Sequence, residues 1–261
     1  MKKAVQTCSS VKKRLATALV CTLATLTAPG LSWSQDQGLM DEKALTSLKQ
    51  MSDYLAGASA LSFRSSTFFD IIDKDGIKVK SGRQSDVIIK RPDKLYINAN
   101  ADDGSAATIW YDGEKLTYWR RDTNEAMSLD FKGTTDAMLD HLVEEYDIQL
   151  PLTDLLYSSV NKMVSDNIVS AKYIGARTVG GVPTHQLSME SAGADWQIWI
   201  EADSTPVPRR YAIDLTGQEH QPQFLATLDN WSIGREVDDY YFTAALPDST
   251  KTTAFKKPEA Q

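Results

Sequence analysis

The sequence has few of the residues that most often bind metals or act as nucleophiles. It contains two cysteines, Cys8 and Cys21, and three histidines, His141, His185 and His220. No two histidines have the spacing of a metal-binding pair, and the Gly-x-Ser-x-Gly motif of serine hydrolases is absent. We therefore predict no metal, no cofactor and no catalytic residue, and a protein that is not an enzyme. The many aspartates and glutamates leave a catalytic carboxylate pair open as a weaker hypothesis.

Both cysteines lie in an N-terminal segment that we predict to be removed on export. Residues 1–14 carry five basic and no acidic side chains, residues 15–26 form an uncharged and largely apolar run, and Ser32-Trp33-Ser34 supplies small residues before a cleavage site. This order is typical of a secretory signal peptide. A membrane anchor is disfavoured because the run is shorter than the roughly 20 residues that span a bilayer. Lipidation at Cys21 is a weaker alternative, since Val20 fits poorly before a lipidated cysteine. The prediction is a periplasmic protein cleaved near Ser34.

The chain left after cleavage has no thiol and a large excess of negative charge. The signal segment holds five of the 28 basic residues and none of the 35 acidic ones, so 23 basic residues face 35 acidic ones and the formal net charge is −12. Such a charge disfavours nucleic acid as a partner because phosphates repel it. No further apolar run is long enough to span a membrane. We predict that residues 1–34 are the signal peptide and that residues 35–261 form one domain, which we expect to be a monomer.

Two segments show helical spacing of apolar residues. Asp41 can cap a helix whose apolar stripe contains Leu45, Leu48, Met51 and Leu55, and Gly57 is a natural stop. A second stripe, in a mid-chain insert, contains Met138, Leu139, Leu142, Val143 and Tyr146. Pro151 can open a further short helix, and a third turn is expected at Asn161–Ser165.

The remaining segments alternate with a period of two and are separated by turn residues. Leu61, Phe63, Thr67, Phe69 and Ile71 share one face of the first strand. Asp-Gly and Gly-Gly turns separate the later strands at near-regular spacing, which predicts an antiparallel meander of about eleven strands. The fold class is therefore mainly β with α. Residues 247–261 are predicted to be a frayed tail.

Several of these turns and strands resemble the LolA-like superfamily of periplasmic lipoprotein and lipid carriers. The similar segments are the strand–Arg91-Pro92–strand turn within residues 88–95, the Asp112-Gly113 hairpin, and residues 173–187 and 196–200. The nearest family within that superfamily is one of predicted periplasmic proteins of unknown function. The resemblance implies a strongly curved antiparallel sheet, or half-barrel, with an N-terminal helix and a helical lid insert over its concave side. It also implies a lipid or a lipoprotein acyl chain as the partner.

Aromatic residues on the strands are the best candidates for a binding site. We predict that an apolar ligand binds in a concave cavity under the helical insert. The predicted ligand-binding residues are Phe63, Phe69, Tyr96, Trp110, Trp119, Leu139, Leu142 and Trp196. Arg64, Arg91, Arg209 and Arg210 are candidates to meet an anionic head group at the rim. Two alternatives stay open: the aromatic residues form only a packed core, or the protein is a periplasmic sensor or regulator module that binds a partner protein through the sheet or an edge strand.

Overall fold

The computed structural model describes residues 40–148, 150, 152–158 and 168–257. Two sequence-based predictions lie outside these residues. They are the signal peptide with its cleavage near Ser34, and the helical turn at Asn161–Ser165. The proposed helix opener Pro151 is also outside the described residues.

Two α-helices are present where the apolar stripes predict them. Helix α1 spans Glu42–Ala56, and Asp41 caps it by accepting a hydrogen bond from the Lys43 amide at 2.8 Å. Helix α2 spans Thr135–Tyr146, and the Thr134 side chain accepts a hydrogen bond from the Ala137 amide. Each cap satisfies an amide that has no partner within its helix. The predicted second helix of the insert is only a 3₁₀ turn, Thr153–Leu155.

The described residues form one sheet of twelve strands. The strands are β1 (Ala60–Ile72), β2 (Lys78–Lys90), β3 (Lys94–Ala101), β4 (Ala106–Tyr111), β5 (Lys115–Arg120), β6 (Glu125–Asp130), β7 (Ile168–Val179), β8 (Val182–Ser191), β9 (Ala194–Glu201), β10 (Pro208–Asp214), β11 (Gln223–Ile233) and β12 (Lys251–Ala254). A 3₁₀ turn, Asp239–Phe242, precedes β12.

The sheet is curved and open. Its spatial order is β12-β6-β5-β4-β3-β2-β1-β11-β10-β9-β8-β7, and only the β12–β6 pair is parallel. The first and last strands of this order do not pair with each other, so the sheet is a half-barrel rather than a closed barrel. The predicted fold class is confirmed. The predicted frayed tail at residues 247–261 is wrong in its middle part, because residues 251–254 form β12.

Both helices lie on the concave face. Helix α1 packs against β7, β8 and β9 through Ala44, Leu48, Met51 and Leu55, which are all buried. This packing fills one half of the concavity with side chains. Helix α2 lies over the other half, formed by β1 to β6, where a cavity remains.

Candidate functional site

The concave face of β1 to β6 changes from large to small side chains along the strands. Residues directly opposite each other on neighbouring strands share a face of the sheet, so they form rows that cross it. The first row is uniformly large and apolar: Leu61, Ile89, Leu95, Tyr111, Leu116 and Leu129. The second row is also apolar: Phe63, Val87, Ile97, Ile109, Tyr118 and Met127. The third row has small side chains on β1 to β4 and an arginine on β5: Ser65, Ser85, Ala99, Ala107 and Arg120.

The small third row leaves a cavity of ≈740 Å³ between the sheet and the segments that cover it. The sheet side is formed mainly by the second and third rows, together with Thr67, Arg83 and Ala101 of the next row. The covering side has three parts. The first is Leu142 and Tyr146 of α2, and the second is Asp147, Ile148, Leu150 and Leu152. The third is residues 253–256, which include the end of β12. A cavity of this size lies within the roughly 300–1,000 Å³ range of small-molecule sites.

The C-terminal residues 251–257, here called the strap, close one side of the cavity. Backbone pairing joins β12 to β6, and the Phe255 ring packs edge-on against Tyr146 with ring centroids 5.8 Å apart. Lys257 forms an ion pair with Glu145 of α2. The strap is therefore fixed both to the sheet and to the helix.

A half-buried arginine, Arg91, holds residues 152–158 in place. The Arg91 guanidinium donates to the carbonyl oxygens of Leu156 at 3.2 Å and Tyr157 at 3.0 Å. Burial lowers the pKa of Arg91 from its usual value. The Tyr157 hydroxyl donates to the Asp140 carboxylate of α2 at 2.7 Å. These contacts fix Leu152, whose side chain lines the cavity.

One end of the cavity is polar. Arg83, Arg120 and Tyr118 line it, with Ser85 and Thr67 beside them. Arg120 donates to the Asp122 carboxylate at 2.8 Å. Burial raises the pKa of Tyr118, and the charges of Arg120 and Arg83 oppose that rise.

Comparison with known proteins defines the family. A family model described as "Predicted periplasmic protein (DUF2092)" matches residues 44–256. The chain belongs to this family. The match confirms the family predicted from the sequence, and its description agrees with the predicted periplasmic location. No curated protein matches the chain in sequence.

Solved structures with a similar chain path are distant in sequence. The lipoprotein LppX of Mycobacterium tuberculosis has a TM-score of 0.48 at 16% identity, over 76% of this chain and 98% of that chain. LprF of Mycobacterium bovis has a TM-score of 0.47 at 14% identity, over 82% of this chain and 100% of that chain. A LolA superfamily protein of Nitrosomonas europaea has a TM-score of 0.35 at 9% identity, over 77% of this chain and 97% of that chain.

Of the eight residues that the sequence predicted as ligand-binding, the DUF2092 chain places Leu142 in the cavity wall. Leu139, on α2, is buried in the core. Phe63 is buried and stacks on Trp231, with ring centroids 4.6 Å apart. Trp196 belongs to the half of the sheet under α1 and meets Tyr211 edge-on at 5.7 Å. Leu139, Phe63 and Trp196 therefore pack against other side chains of the protein.

The other four predicted residues lie outside the cavity wall as well. Tyr96, Trp110 and Trp119 belong to the outer, convex face, with Trp110 lying 6.2 Å from Trp119 and 6.3 Å from Tyr96 between ring centroids. Phe69 extends beyond the cavity on β1, and its ring lies 5.6 Å from the Arg83 guanidinium carbon. A role of these four residues in ligand binding stays a prediction. The geometry does not favour it, because none of the four lines the cavity.

The four arginines proposed for the rim also have other partners. Arg64 is bonded to Asp86 at 2.8 Å, and Arg209 to Glu201 at 2.5 Å. Arg91 binds backbone carbonyls, and Arg210 lies 5.7 Å from the Trp199 ring on the outer face. The arginines at the cavity are instead Arg83 and Arg120. Strand alternation places Arg83 on the same face as Ser85. Placing Arg120 beside Ala107 also requires the register between β4 and β5.

The described residues also bear on metal binding and on membrane insertion. Within the part of the chain that the structure describes, no three His, Cys, Asp or Glu side chains are grouped so that they could hold a metal ion. No helix in the same residues is long and apolar enough to cross a membrane.

Proposed function

We propose that this protein is a non-enzymatic periplasmic binding protein that holds an apolar ligand in the concave cavity. The ligand would be a lipid or the acyl chain of a lipid-linked molecule or lipoprotein. The observation that carries the proposal is the row of small residues, Ser65, Ser85, Ala99 and Ala107, which keeps ≈740 Å³ open in an otherwise well-filled concavity. A core that only needed to pack would place larger side chains there.

The chemistry of the wall supports an acyl chain. Away from its polar end, the cavity is lined by apolar side chains: Val87, Ile97, Ile109, Met127, Leu142 and Leu152. Burying an acyl chain yields about 0.8 kcal/mol per methylene. A twelve-carbon chain would thus gain about 10 kcal/mol before the costs of ordering and association. That gross gain is enough for a useful net affinity.

The polar groups of the cavity support binding rather than catalysis. The described lining residues include serine and threonine hydroxyls but no histidine or cysteine that could activate a nucleophile. The acidic lining residues, Asp122 and Asp147, belong to different walls, and Asp122 is already bonded to Arg120. We therefore propose that the ligand is held and released unchanged.

The experiment is native mass spectrometry of the protein purified from a bacterial periplasm, with lipid extraction of the same sample. The expected result is a bound mass in about one-to-one ratio and a matching amphiphile in the extract. Uptake of a fluorescent fatty acid by the delipidated protein is the second readout. A bare protein mass together with no uptake would overturn the proposal.

A second candidate function rests on the free edge of the sheet. Strand β7 is the last in the order, and among the described residues its outer side pairs with the short segment before α1: Met40 bridges to Ala171, the Asp41 amide donates to the Ala171 carbonyl at 2.9 Å, and the Asp41 carboxylate accepts from the Tyr173 amide at 3.2 Å. Val169 and Ile174 of this strand are exposed. A partner peptide could add a strand there. If a periplasmic partner protein binds the wild type but not an Ile174→Lys variant, this second function is supported, whereas equal binding excludes the edge.

A further inference from the structure

The polar end of the cavity holds positive charge that the protein does not neutralise completely. Arg83 and Arg120 line it together with the Asp122 carboxylate, so two cations face one anion, although the chain as a whole is acidic. Half-buried cations at the end of an otherwise apolar cavity cost desolvation energy unless an anion meets them. The question is therefore which anion this end accepts.

Arg83 has no acidic partner within ion-pair distance in the described part of the chain. Its guanidinium carbon lies 5.6 Å from the centre of the Phe69 ring, which supports one face of the group. A ring below the guanidinium plane leaves the N–H donors at its edge free to bind an anion. The carbonyl of Arg83 accepts a hydrogen bond from Thr67 at 3.2 Å, which fixes the backbone at this point.

Arg120 is only partly satisfied. One of its terminal nitrogens donates to Asp122 at 2.8 Å, which leaves further donors on the guanidinium. Tyr118 lines the cavity together with both arginines, and both arginine charges act on its hydroxyl. The two arginines and this hydroxyl therefore face one shared space.

We propose that this end of the cavity binds the anionic head group of an amphiphile whose acyl chain fills the apolar part. Arg83 and Arg120 contact the anionic oxygens, and Tyr118 and Ser85 donate hydrogen bonds to them. A carboxylate and a phosphate monoester share this chemistry. This inference rests on the proposed function, because the acyl chain is what occupies the rest of the cavity.

The test compares matched ligands that differ only in the head group. The mature chain, residues 35–261, is titrated with dodecanoate, dodecyl phosphate and the neutral methyl dodecanoate, and displacement of a neutral fluorescent probe is measured. Charge-assisted hydrogen bonds predict that the anionic ligands bind about 10- to 100-fold more tightly than the ester. Inorganic phosphate alone should compete weakly, because it lacks the chain.

The variants separate the head-group site from the cavity. Arg83→Gln together with Arg120→Gln should reduce the ratio of anion affinity to ester affinity, measured within that variant, to near unity. Arg83→Lys should keep part of the preference. Arg210→Gln, on the outer face of the same sheet, is the matched control and should change nothing.

The outcomes are distinguishable. Equal binding of ester and dodecanoate to the wild type overturns the head-group site and leaves the proposed function standing. Binding of inorganic phosphate as tight as that of dodecyl phosphate, lost in the double variant, shows a site for a free anion and overturns the amphiphile. No binding of any chain-bearing ligand contradicts the proposed function itself.

Discussion

Filling the small-residue row should block the cavity without harming the fold. Ala99 and Ala107 lie opposite each other on β3 and β4, and both side chains face the cavity. Ala99→Leu or Ala107→Leu adds three carbons that enter open space rather than packed core. Overpacking normally costs about 1–3 kcal/mol, and that cost should be avoided here because the space is empty.

The size of the effect follows from the space that the new side chain takes. Three added carbons displace about three methylenes of a bound acyl chain, at about 0.8 kcal/mol each. The loss is about 2.4 kcal/mol, or roughly 50-fold in Kd. The double variant should bind too weakly to measure with a twelve-carbon chain.

The assay is displacement of a neutral fluorescent probe by dodecanoate, with the melting temperature measured in parallel. The matched control is Ala212→Leu on β10. Ala212 lies opposite Leu225, which is exposed on the outer face. We expect the control to bind like the wild type and the cavity variants to melt at the same or a higher temperature. If folded cavity variants bind as tightly as the control, the ligand does not lie in this cavity.

Three further predictions concern the elements around the cavity. Burial raises the pKa of Tyr111 to about 12, and its hydroxyl donates to the Gly133 carbonyl at 2.7 Å. Its neutral form therefore contributes stability that is present below about pH 10 and lost as the pH rises to about 12. Tyr111→Phe should lower the free energy of unfolding by about 1 kcal/mol near neutrality. Chemical denaturation should show that the difference between wild type and variant shrinks as the pH rises from about 10 to about 12. A difference that stays constant over this range would refute the prediction. Arg91→Ala removes two hydrogen bonds to residues 156–157 and should increase amide hydrogen exchange there, with exchange in α1 as the internal control. Phe255→Ala removes the ring contact with Tyr146 and should speed ligand release several-fold in stopped-flow measurements; an unchanged rate would mean that the strap does not gate the cavity.

The sequence predicts the elements well because local signals specify them. Asp41 and Gly57 mark the ends of α1, and period-two alternation marks the strands. The tail was mispredicted for a physical reason. Strand β12 is exposed at every position and has no apolar alternation, so only its pairing with β6 makes it a strand.

The site could not be located in the same way. Alternation shows that Trp110 and Tyr111 face opposite sides, but it does not say which side is concave. The prediction relied on aromatic residues, and most of these lie on the outer face or in the packed core. The cavity instead depends on small residues such as Ala99 and Ala107, and their significance appears only when the register between strands places them in one row.

Photo-crosslinking with a diazirine-labelled fatty acid tests the central claim most directly. The delipidated protein is irradiated with the ligand bound, and the labelled peptides are mapped by mass spectrometry. A ligand in the concave cavity should label the strands that carry Val87, Ile97 and Ile109, and these labels should be lost in the Ala99→Leu/Ala107→Leu variant. Labels confined to the outer face, at Trp110 or Trp119, would contradict a ligand in the concave cavity.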